Sequence, residues 1–99
     1  MRFSQMDKET LTETIRQLER EEQLAREHGL ESQAAIFKQK RHLARSYLID
    51  PATIALKQWY AVEEETRRFF VDSLNGVMAW GNWEGTDETV AIPLARLKK

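Results

Sequence analysis

Apolar residues in the first part of the chain recur three, four or seven positions apart, which is typical of amphipathic α-helices. In the first helical pattern, the apolar residues are Leu11, Ile15, Leu18 and Ala25. Asp7 stands ahead of the stripe as a good N-cap residue, and Gly29 is a typical residue just past a helix C-terminus. We therefore expect a helix between Asp7 and Gly29.

A second helical pattern covers residues 31–48. Its apolar side is formed by Ile36, Phe37, Leu43, Ala44, Tyr47 and Leu48. Pro51 disfavours the helical conformation at Asp50, so the helix is expected to end before this pair. The connection at Gly29 is short, which predicts an antiparallel helical hairpin. The first helix is net acidic and the second net basic, so their charges also favour pairing.

Two charged residues fall inside the apolar stripes. At 100° per residue, Glu22 lies within the stripe of the first helix and Lys40 within that of the second. A buried charge without a partner is costly. We therefore expect these two side chains to lie near each other, or their charged ends to reach water.

From Lys57 onward, alternating patterns and turn residues predict β-strands. The strands are expected at residues 58–63, 69–74, 77–82 and 89–92. In the first, Tyr60 and Val62 share one side, with Trp59 and Ala61 on the other. Pro93 is expected to end the fourth strand, because proline cannot donate to a ladder. Residues 94–97 then suit one turn of helix.

Asn75-Gly76 between two apolar runs is a strong signal for a two-residue hairpin loop. A two-residue loop fixes which residues pair across the hairpin, and side chains alternate between the two faces of the strands. This register predicts a core face that carries Phe69, Val71, Ser73, Met78 and Trp80. The second face then carries Phe70, Asp72, Leu74, Val77, Ala79, Gly81 and Trp83. This second face is also mostly apolar. It is expected to be covered by the helical hairpin or by a partner, and the need of a short chain for apolar contacts favours the helices.

Five stretches of the sequence resemble the YfhH-like proteins, a small uncharacterised bacterial family. They are F-S-Q-M at Phe3–Met6, A-R-S-Y-L-I-D-P at Ala44–Pro51, W-Y-A-V-E at Trp59–Glu63, L-N-G-V-M-A-W-G at Leu74–Gly81 and I-P-L-A-R-L at Ile92–Leu97. The resemblance covers nearly the whole chain. It implies an α+β fold, with a helical hairpin over residues 1–50 and a small SH3-like antiparallel β-barrel or curled sheet over residues 51–99, packed together as one compact unit. It implies no activity.

The resemblance also sets an expectation for how the barrel closes. The sequence continues for only two residues after Leu97, so a full fifth strand is not expected. The barrel is expected to stay open or to be closed by the N-terminal segment Arg2–Gln5.

Composition excludes several functional classes. The 99 residues include no cysteine, which excludes disulfides, thiolate catalysis and cysteine-ligated zinc. The net charge of −1 and the pI of about 6.1 lack the general electrostatic footprint of a nucleic-acid-binding protein. No apolar run approaches the length of a membrane span, and the first residues do not resemble a signal peptide. A cytoplasmic protein is expected.

Candidate catalytic groups are few. His28 and His42 lack a spaced set of further ligands, and His42 is expected beside Arg41 on a solvated side of its helix. Glu63–Glu65 is expected to be a solvated loop, since three consecutive acids do not converge on one point. Asp72 is a lone carboxylate on the second hairpin face, without the second group that acid–base chemistry requires. We predict no catalytic residue, metal ligand or cofactor, and an enzyme is not expected.

The sequence favours a non-catalytic interaction or regulatory module. Its candidate partner-binding surface combines aromatic anchors with a polar rim: Trp59, Phe70, Trp83, Arg67 and Arg68. The expected partner is a protein or a second copy of the chain, with no membrane involved. The alternative is weak binding of single-stranded nucleic acid through these aromatics, Arg67, Arg68 and the basic stripe Lys38, Arg41 and Arg45 of the second helix.

Overall fold

A computed structural model describes residues 2–98 as two helices followed by a five-stranded antiparallel curled sheet. The helices are α1 (Lys8–Glu27) and α2 (Glu31–Ser46). The strands are β1 (Gln58–Val62), β2 (Phe69–Asn75), β3 (Met78–Trp83), β4 (Val90–Pro93) and β5 (Leu97–Lys98), in the sheet order β4-β3-β2-β1-β5. The predicted α+β class with an N-terminal helical hairpin is confirmed.

The chain divides into two units, and the first, which ends at Leu48, is the helical hairpin. The Asp7 carboxylate accepts a hydrogen bond from the backbone N–H of Thr10 at 2.7 Å, so Asp7 caps α1 as predicted. Gly29 has a φ of 71° and follows the C-terminus of α1, also as predicted. The buried residues Leu11, Ile15 and Ala44 form the core, against which Phe3, Met6 and Leu18 pack.

The polar residues of the hairpin follow the expectation in part, since Lys40 reaches water as one alternative allowed. Glu22 accepts hydrogen bonds from Arg26 at 2.7 Å and from Arg41 at 3.0 Å, so its interhelical partner is Arg41, whereas Lys40 is exposed. His42 was expected to be solvated, and this prediction is wrong because its side chain is only 2% exposed. Helix α2 buries Ala34, His42, Ala44 and Ser46, whereas Ile36, Tyr47 and Leu48 of the predicted apolar side are exposed. Its buried surface is therefore displaced from the predicted apolar stripe.

The second unit begins at Ile49 and contains the sheet. Its core is made of the buried residues Ile54, Tyr60, Val62, Phe69, Val71, Ala79, Ile92 and Leu94. Tyr60 and Val62 are buried while Trp59 and Ala61 are exposed, which confirms the predicted alternation of β1. The Tyr60 hydroxyl accepts a hydrogen bond from the Ala55 N–H at 2.8 Å and thereby fixes the segment that leads into β1.

The predicted pairing of β2 with β3 is wrong. The structure pairs Asn75 with Met78, so the loop residues are Gly76 and Val77 instead of Asn75 and Gly76. The ladder also contains a β-bulge, since Val71 pairs with Gly81 but Ser73 pairs with Trp80. Asp72 is the extra residue between them.

The bulge divides the predicted core face. Phe69 and Val71 lie on the core side as predicted, but beyond the bulge Ser73 lies on the opposite side together with Trp80. The residues that take their place in the core are Leu74, Ala79, Gly81 and Trp83. One extra residue in β2 therefore exchanges the positions of the two tryptophans of β3.

The last strand is short but present. A 3₁₀ turn at Leu94–Arg96 follows β4 and leads into β5, which pairs Lys98 with Ala61 and Leu97 with Val62. The N-terminal residues Phe3–Gln5 form a 3₁₀ turn instead of a closing strand. Within residues 2–98, β5 therefore pairs with only the last two residues of β1.

Candidate aromatic interaction site

Three aromatic residues lie on the side of the sheet that faces away from the core. Trp59 of β1 pairs with Phe70 of β2, and Phe70 pairs in turn with Asn82 of β3. Trp80 precedes Asn82 by two residues and so shares its side of the sheet. Trp59 is 43% exposed and Trp80 is 39% exposed, whereas Phe70 is half-buried. We call Trp59, Phe70 and Trp80 the outer aromatic face.

Trp59 is held by contacts on two sides. Its ring meets Phe70 edge-on, with 5.2 Å between the ring centroids and an interplanar angle of 60°. The guanidinium carbon of Arg68 lies 5.4 Å from the Trp59 ring centroid, within the range of a cation–π contact. A tryptophan held on a strand between these neighbours loses little conformational entropy when a partner binds.

Arg68 is itself fixed by Glu84. The Arg68 Nη2 atom donates to the Glu84 carboxylate at 2.9 Å, and the backbone N–H of Glu84 donates to the Arg68 carbonyl at 2.9 Å. Hydrogen bonds from the Arg68 side chain and backbone hold the pKa of the Glu84 carboxyl below its ordinary value. Glu84 is therefore ionised at neutral pH and neutralises Arg68 while orienting it over Trp59.

Trp83 belongs to the core side of the sheet. It is half-buried and packs edge-on against Phe69, with 5.1 Å between the ring centroids and an interplanar angle of 74°. Arg67 lies with its guanidinium carbon 4.9 Å from the Trp83 ring centroid and forms an ion pair with Glu65 at 3.5 Å. The predicted position of Trp83 on the face of Phe70 is wrong, because the bulge at Asp72 reverses the alternation.

The five predicted surface residues thus separate into two groups. Trp59, Phe70 and Arg68 are in contact on the outer side, whereas Trp83 and Arg67 contact each other elsewhere. Trp80 is the aromatic residue that the sequence reasoning assigned to the core. An isolated glycine inside a strand pattern often marks a bulge, so Gly81 was the signal that could have identified its true side.

A shallow depression of about 430 Å³ adjoins Trp59. It is lined by Thr53, Gln58, Trp59, Tyr60, Ala61 and Lys98. Lys98 is the one charged residue among these, and no carboxylate is present in the described lining. The depression therefore combines an aromatic wall with a single cation.

Comparison with known families identifies the chain. A family model described as "Protein of unknown function (DUF1811)" matches residues 1–98. The chain belongs to this DUF1811 family. The "Uncharacterized protein YfhH" of Bacillus subtilis (strain 168) is 30% identical over 99 residues, which covers 99% of this chain and 95% of that protein. The resemblance to the YfhH-like family is confirmed.

In this DUF1811 chain, the surroundings of Asp72 differ from the sequence prediction. Asp72 is exposed at the bulge, where it forms an ion pair with Lys57, so the apolar surroundings expected for it are absent. Within residues 2–98 no group of three histidine, aspartate or glutamate side chains is arranged to hold a metal ion. Neither helix in that range is long and apolar enough to cross a membrane.

Proposed function

We propose that the protein is a non-catalytic interaction module that binds another protein through the outer aromatic face of an SH3-like β unit. The SH3-like assignment is supported by the strand order β4-β3-β2-β1-β5 and by the 3₁₀ turn between the last two strands. Small barrels of this type commonly bind extended peptides with exposed aromatic residues. The proposal includes a cytoplasmic location, which is supported by a sequence without cysteine.

The observation that carries the proposal is the exposure of two tryptophans on one side of a sheet. Tryptophan is among the residues most enriched at the energetic centres of protein interfaces. Trp59 and Trp80 flank Phe70, and each keeps roughly two fifths of its surface exposed. Exposed aromatic residues that share one side of a sheet are characteristic of an interaction site. Arg68, Glu84 and Asn82 supply polar groups at its border.

Protein is favoured over single-stranded nucleic acid because the arginines of the candidate surface are already engaged. Arg68 is paired with Glu84, Arg67 with Glu65 and Arg41 of α2 with Glu22. Lys38 and Arg45 of the basic stripe also have interaction partners. Strong phosphate binding needs several cations that can release their counterions, so this arrangement favours a protein partner over nucleic acid.

The test compares the wild-type protein with a Trp59→Ala/Trp80→Ala variant in quantitative affinity capture. The matched control is Ile36→Ala, since Ile36 is an exposed apolar residue in the helical unit. We expect proteins captured by the wild type and by the control to be lost from the double variant. An identical captured set for all three proteins would refute the assignment to the outer aromatic face. Binding of a labelled oligonucleotide that weakens steeply with salt would favour the nucleic-acid alternative instead.

A further inference from the structure

In the part of the chain that the structure describes, the edge of β1 next to Trp59 is open. β2 pairs with Gln58, Trp59 and Tyr60 on one side of the strand. On the other side, β5 pairs only with Ala61 and Val62. Among residues 2–98, no strand therefore lies beside Trp59 on the side opposite β2.

The backbone of Trp59 is directed toward this open side. The Glu63 N–H donates to the Arg96 carbonyl at 2.9 Å, which shows that Glu63 faces the β5 side of β1. In an antiparallel ladder, successive residues direct their N–H and C=O groups to alternate neighbours. The backbone N–H and C=O groups of Ala61 and Trp59 therefore point to the β5 side of β1, as those of Glu63 do. Trp59 offers one donor and one acceptor to a strand placed in line with β5.

The side chains around the edge indicate the charge of such a strand. Lys98 pairs with Ala61 and lies on the same side of the sheet as Trp59, where it is exposed. No carboxylate of residues 2–98 forms an ion pair with Lys98. The depression beside Trp59 also lacks an acidic lining residue. A carboxylate next to Lys98 would thus gain a cation in a depression whose described lining holds no acidic residue.

We propose that an extended acidic segment of a partner protein adds to the sheet at this edge. Its backbone pairs with the N–H and C=O of Trp59, one side chain packs against the Trp59 ring, and a carboxylate contacts the ammonium group of Lys98. Strand addition supplies affinity through main-chain hydrogen bonds and specificity through the neighbouring side chains. This inference rests on the proposed function and specifies the form of the protein partner.

The test uses a displayed library of random linear peptides selected on the full chain. The best peptide is then synthesised in two versions, one unmodified and one N-methylated at its central residues, which removes backbone donors. We expect the selected peptides to be rich in aspartate and glutamate. Methylation is expected to weaken binding about tenfold, the loss of roughly one main-chain hydrogen bond. The amide hydrogen of Trp59 should exchange more slowly in the complex.

Variants of the protein test the side-chain contacts. Lys98→Glu should weaken the acidic peptide at least about fivefold, whereas Lys40→Glu, a charge reversal at an exposed lysine of α2, should not change its affinity. Circular dichroism and thermal unfolding establish that both variants fold as the wild type does.

Four outcomes would overturn the inference. Peptides that require Trp80 but tolerate both N-methylation and Lys98→Glu would leave the proposed function standing and refute strand addition at β1. Strand addition would also be refuted if no library peptide bound the wild type more tightly than the Trp59→Ala/Trp80→Ala variant. In that case the affinity-capture experiment tests the proposed function separately. Self-association that Lys98→Glu abolishes would assign the edge to a second copy. Binding of an oligonucleotide that Lys98→Glu abolishes would assign it to nucleic acid.

Discussion

A Cβ atom on Gly81 would lie 2.9 Å from the carbonyl carbon of Phe70, and it would overlap the Phe70 carbonyl oxygen. It would also lie 3.2 Å from the backbone nitrogen of Asp72. All three atoms belong to the backbone of β2 at the bulge, so a side-chain rotation cannot relieve the overlap. Gly81 is required by the close approach of two strands.

Replacement of Gly81 by alanine should therefore be severe. We expect Gly81→Ala to lower the free energy of unfolding by about 3 kcal/mol, because the strands must separate to admit the methyl group. Gly29→Ala is the matched control, since Gly29 has a φ of 71° but open space around its Cβ position, and should cost about 1 kcal/mol. Urea titrations of the two variants measure both values. Equal losses would contradict the close packing at the bulge.

The two tryptophans of β3 should differ in their contribution to stability. Trp83→Ala removes a half-buried ring from contact with Phe69 and should lower the free energy of unfolding by about 3 kcal/mol. Trp80→Ala removes an exposed ring and should cost less than about 1 kcal/mol. Denaturant unfolding should be monitored by circular dichroism, because the loss of a tryptophan changes the fluorescence signal. A larger loss of stability for Trp80→Ala than for Trp83→Ala would support the pairing register that the sequence alone predicts.

Glu22 should make stability depend on pH. Burial raises the pKa of its carboxyl, but hydrogen bonds from Arg26 and Arg41 lower it more, so the pKa lies below its ordinary value of about 4.5. A carboxyl with a lowered pKa in the folded state stabilises the protein above the unfolded-state pKa, and this contribution is lost as the pH falls through the folded-state pKa. Glu22→Gln should cost about 1 kcal/mol at neutral pH.

The difference between wild type and Glu22→Gln should shrink as the pH is lowered below about 4.5, because both side chains are then neutral. Glu13→Gln serves as the control, since Glu13 and its partner Arg16 are both exposed and 3.4 Å apart. It should change stability little at any pH. A difference that stays constant between neutral and acidic pH would show that Glu22 acts through packing alone.

The Tyr60 hydroxyl should contribute through its two hydrogen bonds to Ala55: it accepts from the N–H and donates to the carbonyl. Tyr60→Phe leaves the Ala55 N–H without its acceptor and should lower the free energy of unfolding by about 1 kcal/mol. Tyr47→Phe, at an exposed tyrosine of the helical unit, should have no measurable effect. Thermal unfolding of both variants tests this. A neutral Tyr60→Phe would mean that water replaces the hydroxyl.

The elements that sequence predicts best are those specified by near neighbours. The cap at Asp7 and the stop at Gly29 each depend on a few adjacent residues, and both are confirmed. The alternation of β1 is likewise local, so the exposure of Trp59 and the burial of Tyr60 follow from the pattern alone. The resemblance to a family, together with this pattern, gives the fold class.

The features that sequence does not predict depend on contacts between distant segments. No residue of β2 itself distinguishes a bulged strand from a regular one, and the only signal, Gly81, lies in the partner strand. The assignment of Trp80 and Trp83 to their sides depends on the one extra residue Asp72. The choice of Arg41 over Lys40 as the partner of Glu22 depends on how two helices are rotated against each other. Three of the five predicted surface residues therefore lie in contact with one another, and the bulge accounts for the different position of Trp83.

The bulge also marks a place where the chain can change its length. Without Asp72, Val71 would still pair with Gly81 and Ser73 with Trp80, and the ladder between them would be regular. A deletion there would keep every other side chain of β2 on its present side, whereas a deletion elsewhere in β2 would invert part of the strand. Insertions and deletions among homologous chains are therefore expected to concentrate at this position, and the outer aromatic face would survive them.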